Sequence, residues 1–523
     1  MPSSRAILRA ATAAHALVGA WIATSMTGPL LAIDDLAYLS MGRTLAGGGA
    51  SPLPAQPPYG VLYPLLLAPG WLVGLDEPQM VVFAQIVNAI LGAALLPVVF
   101  MLVRRLSDAS FGRALGAAAI GASLPAALLT GTIAWTERLL PLLVGLAVLA
   151  LLRLRDAPTH RRGVEVAVVA VGLFATHPRM GPVTLVVLAA ALGTLWTRGA
   201  RRPLVATMSV GVLGLAIAEL ARRALADASF GADATYDVAD LAGNRGLGEV
   251  TGMVVRGGGT VAYLVLATAG VAVLGLFVLV RDRGIAVVYG AMLAVTVVLA
   301  GWFLSGVDRA DAFLHGRYIE VLAPLLVALG VVAAGDLSWR LGATVVTVSV
   351  VIAGLYGAWA GPGDVWARSR TPVMMLGTEV AGAPFGQLIF EPGAAASCAL
   401  LAGLVVLAAA RRQAWVAPVV AAVIVAVAVL SGREAIESLQ ERSVVGEVQA
   451  ALGEADGIDE LVIDVDRVPS TLAGAVAWEV GFDHVSPEPT NDTTHLLLVT
   501  DAVAPDGAVA VAEFSGGVLW ALR

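Results

Sequence analysis

The stretch Leu31-Ala-Ile-Asp-Asp-Leu-Ala-Tyr-Leu-Ser-Met-Gly-Arg43 places two adjacent carboxylates where a long apolar run ends. The run extends from about Ala6 to Ala32, which is long enough to cross the hydrocarbon core of a bilayer as a helix. Asp34 and Asp35 therefore fall at a membrane surface. Acidic groups at such a boundary cost free energy unless they are solvated or paired, and they often mark function. We interpret the rest of the chain as a scaffold that brings further polar groups to the same side.

The composition is that of a polytopic membrane protein. Of 523 residues, 58% are hydrophobic and 14% are charged, and the mean hydropathy is +0.84, whereas a soluble domain carries about 25% charged residues. The single cysteine, Cys398, excludes a disulfide framework and a cysteine-based metal site. The net charge of −7 gives no reason to expect a nucleic-acid partner. The first apolar run is too long for the core of a signal peptide, so we expect a retained span.

Apolar runs separated by charged breaks predict about thirteen transmembrane helices. Arginine collects in alternate loops between them, and the positive-inside rule makes that side cytoplasmic. The extracytoplasmic face then carries the acidic pair, the longer loops 33–78, 225–258, 306–318 and 361–392, and the C-terminal region. The predicted spans lie near residues 7–32, 79–103, 112–134, 138–152, 164–176, 180–197, 203–224, 259–280, 284–305, 319–335, 342–360, 393–410 and 415–431.

The segment 59–74 is apolar, but Pro64 and Pro69 interrupt it and both of its ends lie on the outer side. A full crossing would invert every later span and destroy the arginine pattern. We therefore predict an interfacial or re-entrant helix within the first outer loop.

The composition changes after about residue 431. Residues 432–456 have the pattern of an amphipathic helix. We therefore expect a transmembrane domain over 1–431 and a small extracytoplasmic α/β domain over 432–523. A helix is expected at 472–480, and strand-like runs lie at 461–465, 495–500, 509–514 and 518–522.

The acidic pair has two interpretations. In the functional one, Asp34 is a general base for an acceptor hydroxyl, and its neighbour Asp35 holds a metal or the substrate. Adjacent carboxylates raise each other's proton affinity, and burial adds to that effect. In the other interpretation the pair is a solvated cap at the start of a helix. The residues alone leave both open.

Several motifs together resemble the GT-C superfamily of membrane glycosyltransferases, in the branch of the aminoarabinose transferases and protein O-mannosyltransferases. The resemblance covers roughly residues 1–430. Its motifs are Asp-Asp-x-x-Tyr over 34–38, Tyr59-Gly-Val-Leu-Tyr-Pro-Leu-Leu-Leu67, Thr136-Glu-Arg138, His177-Pro-Arg179 and His315-Gly-Arg-Tyr318.

The resemblance implies transfer of a sugar, usually with inversion, from a polyprenyl-phosphate donor to a glycan, lipid or protein acceptor. The reaction is expected at the outer face of the bacterial cytoplasmic membrane. Asp34 matches the catalytic base of the family and Asp35 a supporting carboxylate. The second position is often Glu in these relatives, so the shorter Asp35 leaves its role and the use of a divalent cation open.

A lipid-phosphate leaving group favours arginine, because the guanidinium fork matches phosphate oxygens. Arg317, with His315 and Tyr318 beside it, is the first candidate for binding the donor phosphate. Arg179, with His177, is the second. The competing interpretations are interfacial anchoring for Arg317 and a structural turn around Arg179.

Four further residues complete the candidate substrate site. Glu137 and Arg138 lie together at an outer span boundary, where they either pair with each other or bind donor or acceptor. Tyr38 shares a short predicted helix with the acidic pair. Tyr59 begins the motif that follows it.

A transporter or lipid flippase without transferase activity is the alternative function. Transporters tend to show repeated halves and broken or polar helices at the membrane midplane. Here the ionisable residues cluster at one face, and most apolar runs are not interrupted by polar residues. The sequence therefore favours an enzyme.

Overall fold

In the computed structural model, the described residues are 3–24, 34–51, 59–230, 247–305, 310–360, 377–378 and 392–412. Beyond residue 412 they are five short strands and scattered single residues. The last predicted span, 415–431, and most of the predicted helices 432–456 and 472–480 lie outside the described residues, as does nearly all of the predicted loop 361–392.

The described chain is almost entirely helical. One helix, or in two cases a pair of helices, covers most of each of the first twelve predicted spans. The helices are α1 (Ser4–Ala23), α2 (Asp34–Leu45), α3 (Leu62–Leu72), α4 (Glu77–Leu106), α5 (Phe111–Ala122), α6 (Pro125–Leu129), α7 (Leu139–Asp156), α8 (His160–Thr176), α9 (Gly181–Thr197), α10 (Arg201–Phe230), α11 (Leu247–Ala267), α12 (Val271–Leu279), α13 (Arg283–Leu304), α14 (Ala323–Asp336), α15 (Trp339–Ala360) and α16 (Pro392–Arg412).

The fold is that of a polytopic α-helical membrane protein. Among the described helices, eight are long and apolar enough to cross a membrane, and a ninth is added if a bent pair counts as one span. The count of thirteen stays a prediction. The outer loop predicted at 225–258 is partly wrong, because α10 continues to Phe230 and α11 already begins at Leu247.

Two of the predicted spans are broken helices. The span predicted at 112–134 bends by 58° between α5 and the segment that begins at Pro125, because proline cannot continue the hydrogen-bond ladder of α5. The span predicted at 259–280 is interrupted between α11 and α12, where Ala269 and Gly270 have φ of 53° and 72°. Left-handed backbone ends a helix.

The helix α3 is shorter than a membrane span. Its 11 residues extend about 16 Å, roughly half of the hydrocarbon thickness. The expectation of a non-spanning helix in the first outer loop agrees with this length.

The packed centre of the bundle is α14. Twelve of its fourteen residues are buried, and it packs closely against α12 and α5. Close approach depends on glycine: a Cβ on Gly275 would lie 2.1 Å from the carbonyl oxygen of Leu326, and one on Gly330 would lie 2.0 Å from that of Val271. Small residues at such crossings let helix backbones touch in a membrane.

The C-terminal region contains a five-stranded mixed sheet, as the predicted α/β domain requires. The strands are β1 (Leu461–Ile463), β2 (Val485–Ser486), β3 (His495–Val499), β4 (Val509–Phe514) and β5 (Gly517–Ala521), in the order β2-β1-β3-β5-β4. The strand β1 is parallel to β2 and β3, whereas β5 is antiparallel to β3 and β4. One hydrophobic cluster includes buried residues of this sheet together with residues of α2, α3 and α4.

We expect Gly330→Ala to destabilise the protein, because the new methyl group would meet backbone atoms of α12 that cannot move independently. The cost is about 1–3 kcal/mol, seen as a lower Tm of the detergent-solubilised protein. Gly290→Ala in α13 is the matched control, because nothing lies within 4 Å of a Cβ there and alanine favours a helix by about 1 kcal/mol. Equal Tm values for the two variants would contradict the packing described.

Candidate active site

Arg317 joins two carboxylates from distant parts of the chain. Its Nη1 donates to Asp34 Oδ2 at 2.6 Å, and its Nε donates to Glu137 Oε1 at 2.7 Å. The guanidinium carbon lies 3.8 Å from the centroid of the Trp135 ring. One side chain therefore fixes the start of α2 and the turn before α7 relative to each other.

Glu137 accepts from two arginines. Arg179 Nη2 donates to the same Oε1 atom at 2.6 Å, and Thr136 Oγ1 donates to Oε2 at 3.3 Å. Burial alone would raise the pKa of the Glu137 carboxyl, but Arg317 and Arg179 outweigh burial and lower the pKa to about 2. Glu137 is therefore a permanent anion that orients both guanidinium groups.

Both oxygens of Asp34 are engaged. Tyr59 donates its hydroxyl hydrogen to Oδ1, while Oδ2 accepts from Arg317. The Tyr59 ring stacks on Tyr38 with centroids 4.8 Å apart, and it lies 5.3 Å from the ring of His177. The first turn of α2 stabilises the Asp34 carboxylate further, because backbone N–H groups at the start of a helix interact favourably with negative charge.

The solvated-cap interpretation of the acidic pair is wrong. Asp34 is 9% exposed and Asp35 is fully buried. Asp35 lies on the same helix turn but acts electrostatically on Tyr63, which stands edge-on to Tyr38. The two aspartates thus face different surroundings: of the two, it is Asp34 that pairs with Arg317.

The two histidines support the arginine-bearing loops. His177 Nδ1 accepts the backbone N–H of Arg179 at 3.2 Å and so caps the short 3-10 turn Pro178–Met180. Burial, and then Arg179 and Arg317, lower its pKa well below the usual value, so the ring is neutral. His315 is 3% exposed, with its ring 5.0 Å from that of Tyr318.

Tyr318 in turn packs under the second arginine. The guanidinium carbon of Arg179 lies 5.0 Å from the centroid of the Tyr318 ring. The structure therefore gathers eight of the predicted residues around Arg317: Asp34, Glu137, Arg179, Tyr38, Tyr59, His177, His315 and Tyr318.

Arg138 is not part of this group. The sequence alternative that Arg138 pairs with Glu137 is wrong, because Glu137 pairs with Arg179 and Arg317 instead. Arg138 points away, toward Gly92 of α4, and is 2% exposed. The guanidinium is not deprotonated in proteins, so Arg138 is charged at neutral pH.

Sequence reasoning missed three residues. Trp135 lies directly before the Thr136-Glu-Arg138 motif, and its ring is the platform for Arg317. Tyr263 donates a hydrogen bond to Glu320, which helps to line an apolar cavity between α6 and α11. Glu320 follows Arg317 by three residues in the sequence, and this spacing could have identified it as a candidate.

The donor set fits a metal ion poorly. In the part of the chain that the structure describes, no three His, Cys, Asp or Glu side chains are grouped to hold one. Both oxygens of Asp34 already have partners, and an arginine beside a carboxylate competes with a cation for it.

The arrangement of helices has counterparts among solved structures. ArnT from Cupriavidus metallidurans bound to undecaprenyl phosphate matches with a TM-score of 0.59 and 16% identity, covering 98% of this chain and 97% of that chain. The apo state of that protein matches with a TM-score of 0.57 and 18% identity, covering 99% and 98%. The chain has the ArnT fold. The fold of the aminoarabinose-transferase branch, which the motifs led us to expect, is thereby confirmed.

The likeness to ArnT includes the C-terminal region, because nearly the full length of both chains is matched. No family model and no curated protein matches the sequence. At this identity the likeness shows the ArnT fold alone.

We expect Glu137→Gln to lower the stability at neutral pH by about 3 kcal/mol, because two buried guanidinium groups lose an anionic partner. The pKa of Glu137 is lowered by folding, so its contribution is complete above the unfolded-state pKa near 4.5 and is lost as the pH falls toward about 2. The Tm gap between wild type and variant should therefore narrow on acidification.

Glu165→Gln is the matched control, because its side chain is 37% exposed and pairs with Arg153 at the surface. Exposed pairs contribute about 0–1 kcal/mol. A Tm gap for Glu137→Gln that is as small as that of the control at pH 7 would contradict the site electrostatics.

Proposed function

We propose that the chain is a glycosyltransferase that moves a sugar from a polyprenyl-phosphate donor to an acceptor hydroxyl with inversion. The observation that carries this proposal is the buried set in which Arg317 holds Asp34 and Glu137 together within the ArnT fold. A carboxylate base and a pair of arginines are the two elements that such a transfer requires.

Asp34 is the general base. It takes the proton of the acceptor hydroxyl, whose oxygen attacks the anomeric carbon while the bond from that carbon to the phosphate oxygen breaks. The electron pair of the broken bond stays on the phosphate. Because one displacement occurs at the anomeric carbon, its configuration inverts. Asp35 supports this step from the same helix turn.

Arg317 and Arg179 bind the leaving phosphate. Their side chains are 10% and 8% exposed, and charge–charge interactions are stronger in such surroundings than in water. Glu137 holds both guanidinium groups in place at about 2.7 Å, so little reorganisation is needed when negative charge develops on the phosphate. Tyr318 and His315 keep the Arg317 loop packed.

Donor binding changes the partners of Asp34. In the ligand-free arrangement Asp34 Oδ2 accepts a hydrogen bond from Arg317 Nη1. The donor phosphate competes for the same guanidinium group and loosens this ion pair. Asp34 Oδ2 is then free to accept the proton of the acceptor hydroxyl.

We place the reaction and the C-terminal domain on the outer face of the bacterial cytoplasmic membrane. The supporting observation is the arginine distribution, which assigns the opposite loops to the cytoplasm. The acceptor is a hydroxyl of a glycan, a lipid or a protein at that face, and Tyr38, Tyr59 and His177 form its aromatic wall.

We expect Asp34→Asn to lower kcat about 10²–10⁴-fold, because an amide cannot accept the acceptor's proton. The measurement is the consumption of radiolabelled polyprenyl-phosphate sugars by purified protein with membrane extract as acceptor. Donor binding should persist in the variant. Asp76→Asn is the control, because Asp76 caps α4 at the surface. Donor binding without turnover by the wild type with every acceptor would favour a flippase instead.

We expect Arg317→Lys to lower kcat more than it raises the KM for donor. Lysine keeps the charge but cannot donate to Asp34 and Glu137 through a planar fork. Arg223→Lys is the control, because that arginine is 64% exposed in a pair with Glu219. Unchanged turnover in Arg317→Lys would contradict a role of the Arg317 guanidinium in the reaction.

A further inference from the structure

Arg138 is a buried cation without a counter-charge among the residues that the structure describes. It is 2% exposed, its Nε is buried without a hydrogen-bond partner, and no ion pair involves it. The other two buried arginines of the region, Arg179 and Arg317, both pair with carboxylates. Arg138 is therefore the exception that needs a physical explanation.

Its guanidinium fits into a space that two glycines leave open. A Cβ on Gly92 would lie 2.3 Å from Arg138 Nη2, and one on Gly131 would lie 3.7 Å from Nε. The side chain thus reaches across the bare backbone of α4. A larger residue at Gly92 would meet the guanidinium.

Two further polar groups lie in the same region. The helix α1 packs against α4, and a Cβ on Gly19 would lie 3.5 Å from that of Ala89. His15, 9% exposed, is one helical turn from Gly19, as Gly92 is from Ala89, so His15 faces the part of α4 where the Arg138 guanidinium lies. His15 Nδ1 lies 3.2 Å from Ser123 Oγ, at the break between α5 and α6. His15 Nε2 is buried, with no partner in the described part of the chain. Because His15 precedes the end of α1 by eight residues, it lies about 12 Å below that end.

Burying an unpaired guanidinium costs several kcal/mol even after relaxation. Ionisable side chains inside membrane proteins normally face a partner or a ligand path. The carbonyl groups at the end of the 3-10 turn Thr130–Thr132, whose Gly131 lies beside Arg138, provide partial negative charge nearby. They make no hydrogen bond with Arg138 that the structure shows, so a full counter-charge must come from elsewhere.

We propose that Arg138, His15 and Ser123 form a second anion site, which binds a phosphate-type oxyanion. The guanidinium matches such an anion with two parallel N–H donors, and an imidazole N–H and a hydroxyl add further donors. The site is separate from the ion pairs of Arg317, because Glu137 pairs with Arg179 and Arg317 whereas the Arg138 guanidinium lies against Gly92 of α4.

This site is independent of the proposed transfer reaction. It requires only that the cation and the two donors meet an oxyanion, whether the headgroup of a lipid phosphate or free phosphate. Inorganic phosphate and a short-chain prenyl phosphate are therefore separate arms of the test.

The experiment is equilibrium binding of each radiolabelled anion to purified full-length protein. Wild type should bind at two sites, and Arg138→Met should lose one of them or weaken it at least about tenfold, as loss of a charge-assisted hydrogen bond does. Arg317→Gln should retain the Arg138 site. Arg9→Met is the matched control, because Arg9 is exposed on α1, and it should bind as the wild type does.

The Tm in phosphate-free buffer separates a ligand site from a structural cation. Removing an unpaired buried charge should leave the Tm of Arg138→Met unchanged or raise it. His15→Leu should weaken the second site several-fold with the cation still present, and it tests the site if Arg138→Met does not fold. Wild-type stoichiometry in both variants, or a single site in the wild type that Arg138→Met leaves intact, would overturn the proposal. A single wild-type site that Arg138→Met removes would instead contradict phosphate binding by Arg317.

Discussion

The double ion pair of Arg317 is the constraint on which the half of the molecule around the candidate site depends. Asp34 and Glu137 are far apart in sequence, and neither carboxylate could be buried alone without a large loss of solvation. The guanidinium satisfies both, at 2.6 and 2.7 Å. Because these bonds are directional, α2, the turn before α7 and the loop before α14 can meet in only one arrangement. The aromatic rings around them exclude water and strengthen the interactions.

Membrane solvation explains the helical part of the fold. Backbone groups in hydrocarbon must be paired internally, so long apolar runs become helices, and the sequence predicted their positions well. The sequence did not predict the break at Gly270, because mean hydropathy contains no information about the backbone conformation of a single residue. The partners of Glu137 could not be predicted from the sequence either. No rule of sequence spacing pairs Glu137 with Arg317, because the two residues are far apart in the chain.

Candidate residues were easier to predict than their relationships. Charged residues next to apolar runs stand out, so Asp34, Glu137, Arg179 and Arg317 could all be named from sequence. Which arginine meets which carboxylate depends on tertiary packing. Trp135 shows the same limit: a tryptophan at a span boundary is ordinary in a membrane protein, and only its position under the Arg317 guanidinium gives it a particular role.

Charge balance links the resting site to the proposed reaction. Glu137 stays ionised because its pKa is near 2, so its charge and that of Asp34 match the charges of Arg179 and Arg317. A sugar phosphodiester donor adds one negative charge. During transfer Asp34 becomes neutral by taking a proton, while the departing phosphate gains a second charge. The net charge of the site is therefore the same before and after the chemical step, and no uncompensated charge appears in a low-dielectric environment, where it would cost most.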